Sequence, residues 1–336
     1  MRTFRFPFSM ACALAAALWL AAARAHGADA METHTPLLVP AAQVPYAAQA
    51  TMLASTRAGS RIVAVGDHGV VLLSDDGGKT HRQAKSVPAD VSLTSVAFVD
   101  ASRGWAVGHW GVILHTADGG DTWTLQRSDV QTDRPLFAVH FLDAAHGVAV
   151  GLWSLVLMAD DGGEHWRPVD MAPPAGARKA DLNLQGLFAD ARGRLFAVAE
   201  KGMILRSDDR GLHWHYLPSG YKGSFWSGIA TRDGTLIVAG LRGSLYRSAD
   251  DGRTWQRLDT RSKSSITALA LAGKRIIGVG LEGLVLRSDD EGMTFTSDVR
   301  PDRLALTAVA VDAEGHAVMY SRQGIFRTDG IDATGN

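Results

Sequence analysis

Residues 104–123 read Gly-Trp-Ala-Val-Gly-His-Trp-Gly-Val-Ile-Leu-His-Thr-Ala-Asp-Gly-Gly-Asp-Thr-Trp. Two short apolar runs flank a tight glycine-bounded link, and the second run ends in a polar turn centred on Asp118. Runs rich in β-branched and aromatic residues, punctuated by Gly and Asp, are strands joined by hairpins. The turn has a physical reason. An Asp carboxylate accepts hydrogen bonds from backbone N–H groups of its own turn. A Gly two residues on adopts positive φ without steric cost, and the aromatic that follows buries a large flat ring.

Outward from this stretch the turn recurs. Ser/Thr-x-Asp-x-Gly-x-Thr-Trp, with small variations, is centred on Asp76, Asp118, Asp161, Asp209, Asp250 and Asp290, at spacings of 42, 43, 48, 41 and 40 residues. A truncated seventh copy is Gly324-Ile-Phe-Arg-Thr328. Each repeat holds four short strands in about 40 residues, the size of one propeller blade. The pattern predicts an all-β, seven-bladed β-propeller with four-stranded blades over residues 46–330. The last copy supplies three strands. The segment 26–45 is expected to add the fourth through a strand at Thr35–Val39, closing the ring without a free sheet edge. Residues 331–336 are expected to be a disordered tail.

The first 25 residues differ from the rest. Arg2 and Arg5 precede an alanine-rich apolar run over residues 11–23, and Ala23-Arg-Ala25 supplies small residues for a cleavage site. This is the pattern of a cleaved secretory signal, and the run is short for a bilayer span. A periplasmic location is expected, or a thylakoid lumen if the source is photosynthetic. Cys12 is the sole cysteine and would leave with the leader, so neither disulfides nor a thiol nucleophile are available to the remainder. The net charge of −1 in 336 residues offers no basic excess for nucleic acid.

The Asp turn resembles the Asp box of the bacterial neuraminidase repeat. Gly104-Trp-Ala-Val-Gly108, followed by Gly111-Val-Ile-Leu-His-Thr-Ala-Asp-Gly-Gly120, resembles the photosystem II stability and assembly factor family, and His146-Gly-Val-Ala-Val-Gly151 is a second match. The resemblance covers roughly residues 50–328. It implies an exported, non-enzymatic propeller, without cofactor or bound metal, that binds a membrane-protein subunit during assembly. The partner is expected to be a membrane protein or an envelope transporter complex, and the propeller a monomer.

Strand order places the Asp turns and the first-to-second strand turns on one face. The second-to-third links share the other face with the blade-to-blade connections. Links bearing His68, His109, Trp110, Trp153, Lys201, Arg242 and Arg322 are expected to ring the central opening as a partner-binding rim, since aromatics beside charges suit binding hot spots. The residue before each box Ser or Thr is Arg206, Arg247, Arg287 and Arg327 in the last four repeats. A basic arc suited to partner carboxylates is expected there. The 48-residue gap contains Met171–Ala180, read as an exposed loop on the rim face.

A sialidase-like glycoside hydrolase is the rival, because sialidases share the Asp turn. That chemistry needs a Tyr nucleophile with an acidic partner and an arginine triad. Tyr216 and Tyr246 fall inside strands, and no Arg-Ile-Pro segment precedes the first turn. His213 and His215 flank Trp214 without a third ligand at metal-site spacing. No catalytic residue and no metal ligand is assigned.

Overall fold

The computed structural model describes residues 38–326. Seven antiparallel sheets follow one another along the chain, with strands in sequential order within each sheet. Blade 1 comprises β1 (Met52–Ala58), β2 (Arg61–Gly66), β3 (Val71–Ser74) and β4 (Arg82–Gln83). Blade 2 comprises β5 (Leu93–Phe98), β6 (Gly104–Gly108), β7 (Ile113–Thr116) and β8 (Thr124–Arg127). Blade 3 has β9 (Leu136–Phe141), β10 (Gly147–Gly151), β11 (Val156–Ala159) and β12 (Arg167–Pro168). Blade 4 has β13 (Leu184–Ala189), β14 (Leu195–Ala199), β15 (Met203–Ser207) and β16 (His215–Pro218). Blade 5 has β17 (Phe225–Ala230), β18 (Leu236–Gly240), β19 (Leu245–Ser248) and β20 (Gln256–Leu258). Blade 6 has β21 (Ile266–Ala272), β22 (Arg275–Gly280), β23 (Leu284–Ser288) and β24 (Thr296–Val299). Blade 7 has β25 (Leu306–Val311), β26 (Ala317–Ser321) and β27 (Gly324–Ile325).

The first strand of each blade touches the first strand of the next, and β1 touches β25, so the sheets form a closed seven-bladed propeller. Second strands lie mid-sheet with a blade against each face. All five residues of β6, β10, β14 and β18 are buried, which is why these runs are continuously apolar instead of alternating. Fourth strands sit at the outer edge and are polar and exposed. The core is divided into clusters between neighbouring blades. Val63, Leu73, Ala106, Leu114 and Trp123 join blades 1 and 2. Ile277, Val285, Leu306 and Met319 join blades 6 and 7.

Each Asp turn is a closed hydrogen-bond unit. Asp118 Oδ1 accepts from the Thr122 N–H (2.9 Å) and the Thr116 hydroxyl (2.8 Å), and Oδ2 accepts from the Thr122 hydroxyl (2.6 Å). The same set recurs at Asp76, Asp250 and Asp290. At Asp161 and Asp209 the Thr is replaced by His165 and His213, whose Nδ1 atoms take the place of the hydroxyl at 2.8 and 2.6 Å.

Blade 7 has three strands among the described residues. Of the expected closing strand Thr35–Val39, only Leu38 and Val39 are described. They are not on that sheet: the Val39 carbonyl accepts from Asp90 N–H (2.7 Å), between blades 1 and 2. Among the described residues the first and last blades are joined by side chains. Met52, Ile62, Ala64 and Leu72 pack against Ala308, Ala310, Val318 and Tyr320. Thr307 Oγ1 donates to the Met52 carbonyl (2.5 Å), and His81 Nε2 lies 2.9 Å from the Tyr320 hydroxyl. The leader 1–25, most of the segment 26–45, Arg327, Thr328 and the tail 331–336 lie outside the described residues.

Candidate partner-binding faces

The links between second and third strands share one construction. His68-Gly69, Trp110-Gly111, Trp153-Ser154, Lys201-Gly202, Arg242-Gly243 and Glu282-Gly283 each have two successive residues at positive φ. That is the type I′ hairpin turn, whose twist matches that of the flanking strands. The second position is Gly in five of the six because the turn lies against the following connection. A Cβ at Gly69, Gly202 or Gly243 would collide with the carbonyl of Ala89, Tyr221 or Ser262. Blade 3 accepts Ser154, which turns its hydroxyl into a bond with Leu182 N–H (3.1 Å). The first position points its side chain outward. His68, Lys201, Arg242 and Glu282 are exposed, and Trp153 is 59% exposed.

The links lean over the inner strand of the next blade: 67–69 on β5, 109–111 on β9, 152–154 on β13, 241–243 on β21 and 281–283 on β25. His68, Trp153, Lys201 and Arg242 therefore share one face around the axis with exposed His109 and Arg322. Trp110 is only half exposed and packs against the core between blades 1 and 2. Blade 7 departs from the type I′ pattern, with Arg322 and Gln323 exposed ahead of Gly324 at φ +90.

The arginines of the expected arc are elsewhere. Third strands run from the links to the Asp turns, so Arg206, Arg247 and Arg287 lie at the Asp-turn end of their sheets. They are engaged within the ring. Arg206 pairs with Asp208 (3.1 Å) and donates to the Asp251 carbonyl of the next blade (3.3 Å). Arg247 donates to the Thr235 hydroxyl (3.3 Å), and its buried Nε has no hydrogen-bond partner among the described residues. Arg287 approaches Asp298 at 3.4 Å. The structure thus brings the rim residues to one face and these arginines toward the other, as two separate sets.

Sequence reading missed the interblade latches on the Asp-turn face. Arg61 bridges Asp75 of its own blade (2.6 Å) and Asp121 of the next (3.2 Å). Arg194 does the same with Asp190 (2.6 Å) and Asp251 (2.5 Å). These pairs hold Asp121 and Asp251 below the ordinary carboxylate range, through Arg82 and Arg194 hydrogen bonds first. The inner strands were also missed as bulged. Register shifts fall one residue into each first strand, at Thr94, Thr267 and Thr307 among others. At those three positions the hydroxyl reaches the carbonyl of the next blade's inner strand. The recurring Thr was the available signal.

The Asp-turn face also opens on a cavity of about 970 Å³ between inner strands β1, β17, β21 and β25. Ile229, Leu269 and Val309 line its walls, and Arg57, Arg232 and Arg275 stand among its lining residues. Arg57 is held by the Asp312 carbonyl (3.0 Å) and Arg275 by Asp289 (2.7 Å).

These features define a class: a seven-bladed propeller tied together by aspartate-centred turns, presenting a rim of hairpin tips on the opposite face. The chain belongs to the family of the photosynthesis system II assembly factor YCF48, whose model matches residues 41–129 and 124–256. A solved structure of YCF48 bound to D1 peptide is similar at 21% identity, with a TM-score of 0.68, over 84% of this chain and 94% of that one. YCF48 from Cyanidioschyzon merolae is similar at 16% identity and a TM-score of 0.65, over 84% of this chain and 96% of that one. No curated protein matches this chain.

Proposed function

We propose that this chain is an exported, non-enzymatic scaffold that holds an extramembrane segment of a membrane protein while its complex assembles, binding through the face opposite the Asp turns. The observation that carries the reading is the rim. Trp153 is held outward on a backbone fixed by the Asn183 side chain, beside the exposed cations Lys201 and Arg242. An aromatic anchor flanked by charge is the composition of an interface hot spot. Family membership and the likeness to a YCF48 that binds a D1 peptide support the same class of partner.

Glycoside hydrolysis is disfavoured by where three of the five tyrosines are spent. Tyr216 donates to the Ala172 carbonyl (2.8 Å), Tyr221 to the Leu241 carbonyl (3.0 Å), and Tyr320 is buried beside His81, with burial raising its hydroxyl pKa. Export is supported by the arginine-headed apolar leader.

The test is affinity capture from envelope extracts with the wild-type chain and Trp153→Ala. The reading expects one membrane protein enriched by wild type and depleted at least severalfold by the variant, with no turnover of sialosides. Hydrolysis of a sialoside by the purified chain, without an enriched membrane protein, would reverse it. Mass measurement of the exported product checks cleavage after Ala25.

A further inference from the structure

We propose that the sector of the link face formed by blades 3 to 5 docks on an anionic lipid bilayer. Trp153 sits at headgroup depth there, with Arg178, Lys179, Lys201, Lys222 and Arg242 on the links and connections of the same sector. The residues come from successive loops of one face. Trp153, Lys201 and Arg242 are the outward positions of three consecutive type I′ links. Arg178 and Lys179 lie on the long connection from β12 to β13, and Lys222 on that from β16 to β17.

All five cations are exposed, and among the described residues none of their side chains has a hydrogen-bond or ion-pair partner. This separates them from Arg61, Arg194 and Arg206 on the Asp-turn face, each held by carboxylates. Of the nearby acids, Glu200 is occupied by the Asn183 backbone and side-chain N–H groups (3.2 and 2.9 Å), and Asp170 and Asp181 are outnumbered. Trp153 is more than half exposed although its backbone is fixed, so the indole is presented to solvent by construction.

Unpaired long cations around an outward Trp are the chemistry of peripheral attachment to anionic headgroups, where Trp favours the interface. An acidic peptide is the less suited occupant. The five cations are spread over hairpin tips and loops of three blades, with no carboxylate presetting a guanidinium fork for one carboxyl group. A diffuse anionic sheet needs no such fork. Asp67, Asp90, Asp129 and Asp133 lie on the blade 1 and 2 side of the same face, where Asp90 is 3.0 Å from His68 Nδ1 and Asp129 pairs with Arg127 (3.3 Å), so that side is less cationic than blades 3 to 5. Trp153, Lys201 and Arg242 also carry the segment reading above, so bilayer and segment would occupy this sector in exclusion of one another. The inference stands on this surface alone, and its test contains no protein partner, so its failure is distinct from failure of the scaffold reading.

The experiment is co-sedimentation of the full chain with vesicles of phosphatidylcholine containing one third phosphatidylglycerol, against phosphatidylcholine alone. The apolar run at residues 11–23 is common to every variant, so the readout is the difference between the two vesicles. Binding to the anionic vesicles is expected to be stronger and to weaken as salt rises. K201E/R242E should reduce the difference by roughly tenfold or more, at about fivefold per cation near the surface. W153A should reduce it severalfold, and R253E, an exposed Asp-turn cation, should leave it unchanged. Equal binding to both vesicles overturns the proposal, as does an R253E loss matching that of K201E/R242E. Capture of a soluble polyglutamate peptide through Lys201 and Arg242, without vesicle binding, also overturns it in favour of an acidic peptide.

Discussion

The Asp250 carboxylate accepts from the Thr254 hydroxyl (2.6 Å), the Thr254 N–H (2.9 Å) and the Ser248 hydroxyl (2.8 Å). These bonds, the Thr254 hydroxyl first, hold its pKa at about 2 against an ordinary 3.8. A folded-state pKa below the unfolded one stabilises the fold above the unfolded value, and that contribution is lost as pH falls through the folded value. Thermal midpoints should therefore fall between pH 3.8 and about 2, and Asp250→Asn should flatten the fall; Asp290 acts in the same window. At Asp118, Ala leaves the Thr122 N–H and two hydroxyls without their shared acceptor. Because the site is exposed, the expected loss is about 1 kcal/mol, below the roughly 1.5–3 kcal/mol of a protected bond to a charged group, read from a urea midpoint. The six Asp positions were legible because their partners lie within four residues. The arginine roles were not. Arg206 reaches a carbonyl 45 residues away, supplied by the next blade, and no local pattern encodes that pairing.

Among elements, the links separate conformation from packing. Gly243 has φ +67, and a Cβ there would meet the Ser262 carbonyl and the Thr260 hydroxyl. Gly273 has φ +65 with open space around it. Ala at both positions bears the left-handed backbone cost of roughly 1–2 kcal/mol, and only Gly243→Ala adds a collision. Gly243→Ala should therefore lower the melting temperature distinctly more than Gly273→Ala, measured side by side by calorimetry. The link positions were legible from glycine spacing. Their turn type was not, because type I′ is usually announced by Asn-Gly or Asp-Gly, and here the first position holds His, Trp, Lys, Arg or Glu. A side chain forced into that conformation and left outward is free to be chosen for contact, which is where the rim residues lie.

At the scale of the whole ring, the number of blades followed from the spacing of the turns, while the side-chain seam between the last and first blades did not. The expected fourth strand of blade 7 lies mostly outside the described residues; the described join is a packed side-chain interface with Thr307–Met52 and His81–Tyr320 bonds across it. Sequence reading had no access to it because the partners are 255 and 239 residues apart. Thr94 makes the same kind of bond to Leu136 at an interface between consecutive blades, which makes it the matched control. Thr94→Val and Thr307→Val should each cost roughly 1–2 kcal/mol, since each strips a buried carbonyl of a donor. Their local consequences should differ. Blades 2 and 3 are also joined by the chain, whereas blades 7 and 1 are joined among the described residues by non-covalent contacts alone, so weakening that seam lowers the cost of opening the ring there. Native-state hydrogen exchange should show T307V, and more strongly H81A/T307V, speeding exchange in β1, β25 and β26 ahead of the other blades. T94V should raise exchange without favouring any one interface. Uniform loss of protection in both variants would mean that the seam is no weaker than the interfaces the chain spans.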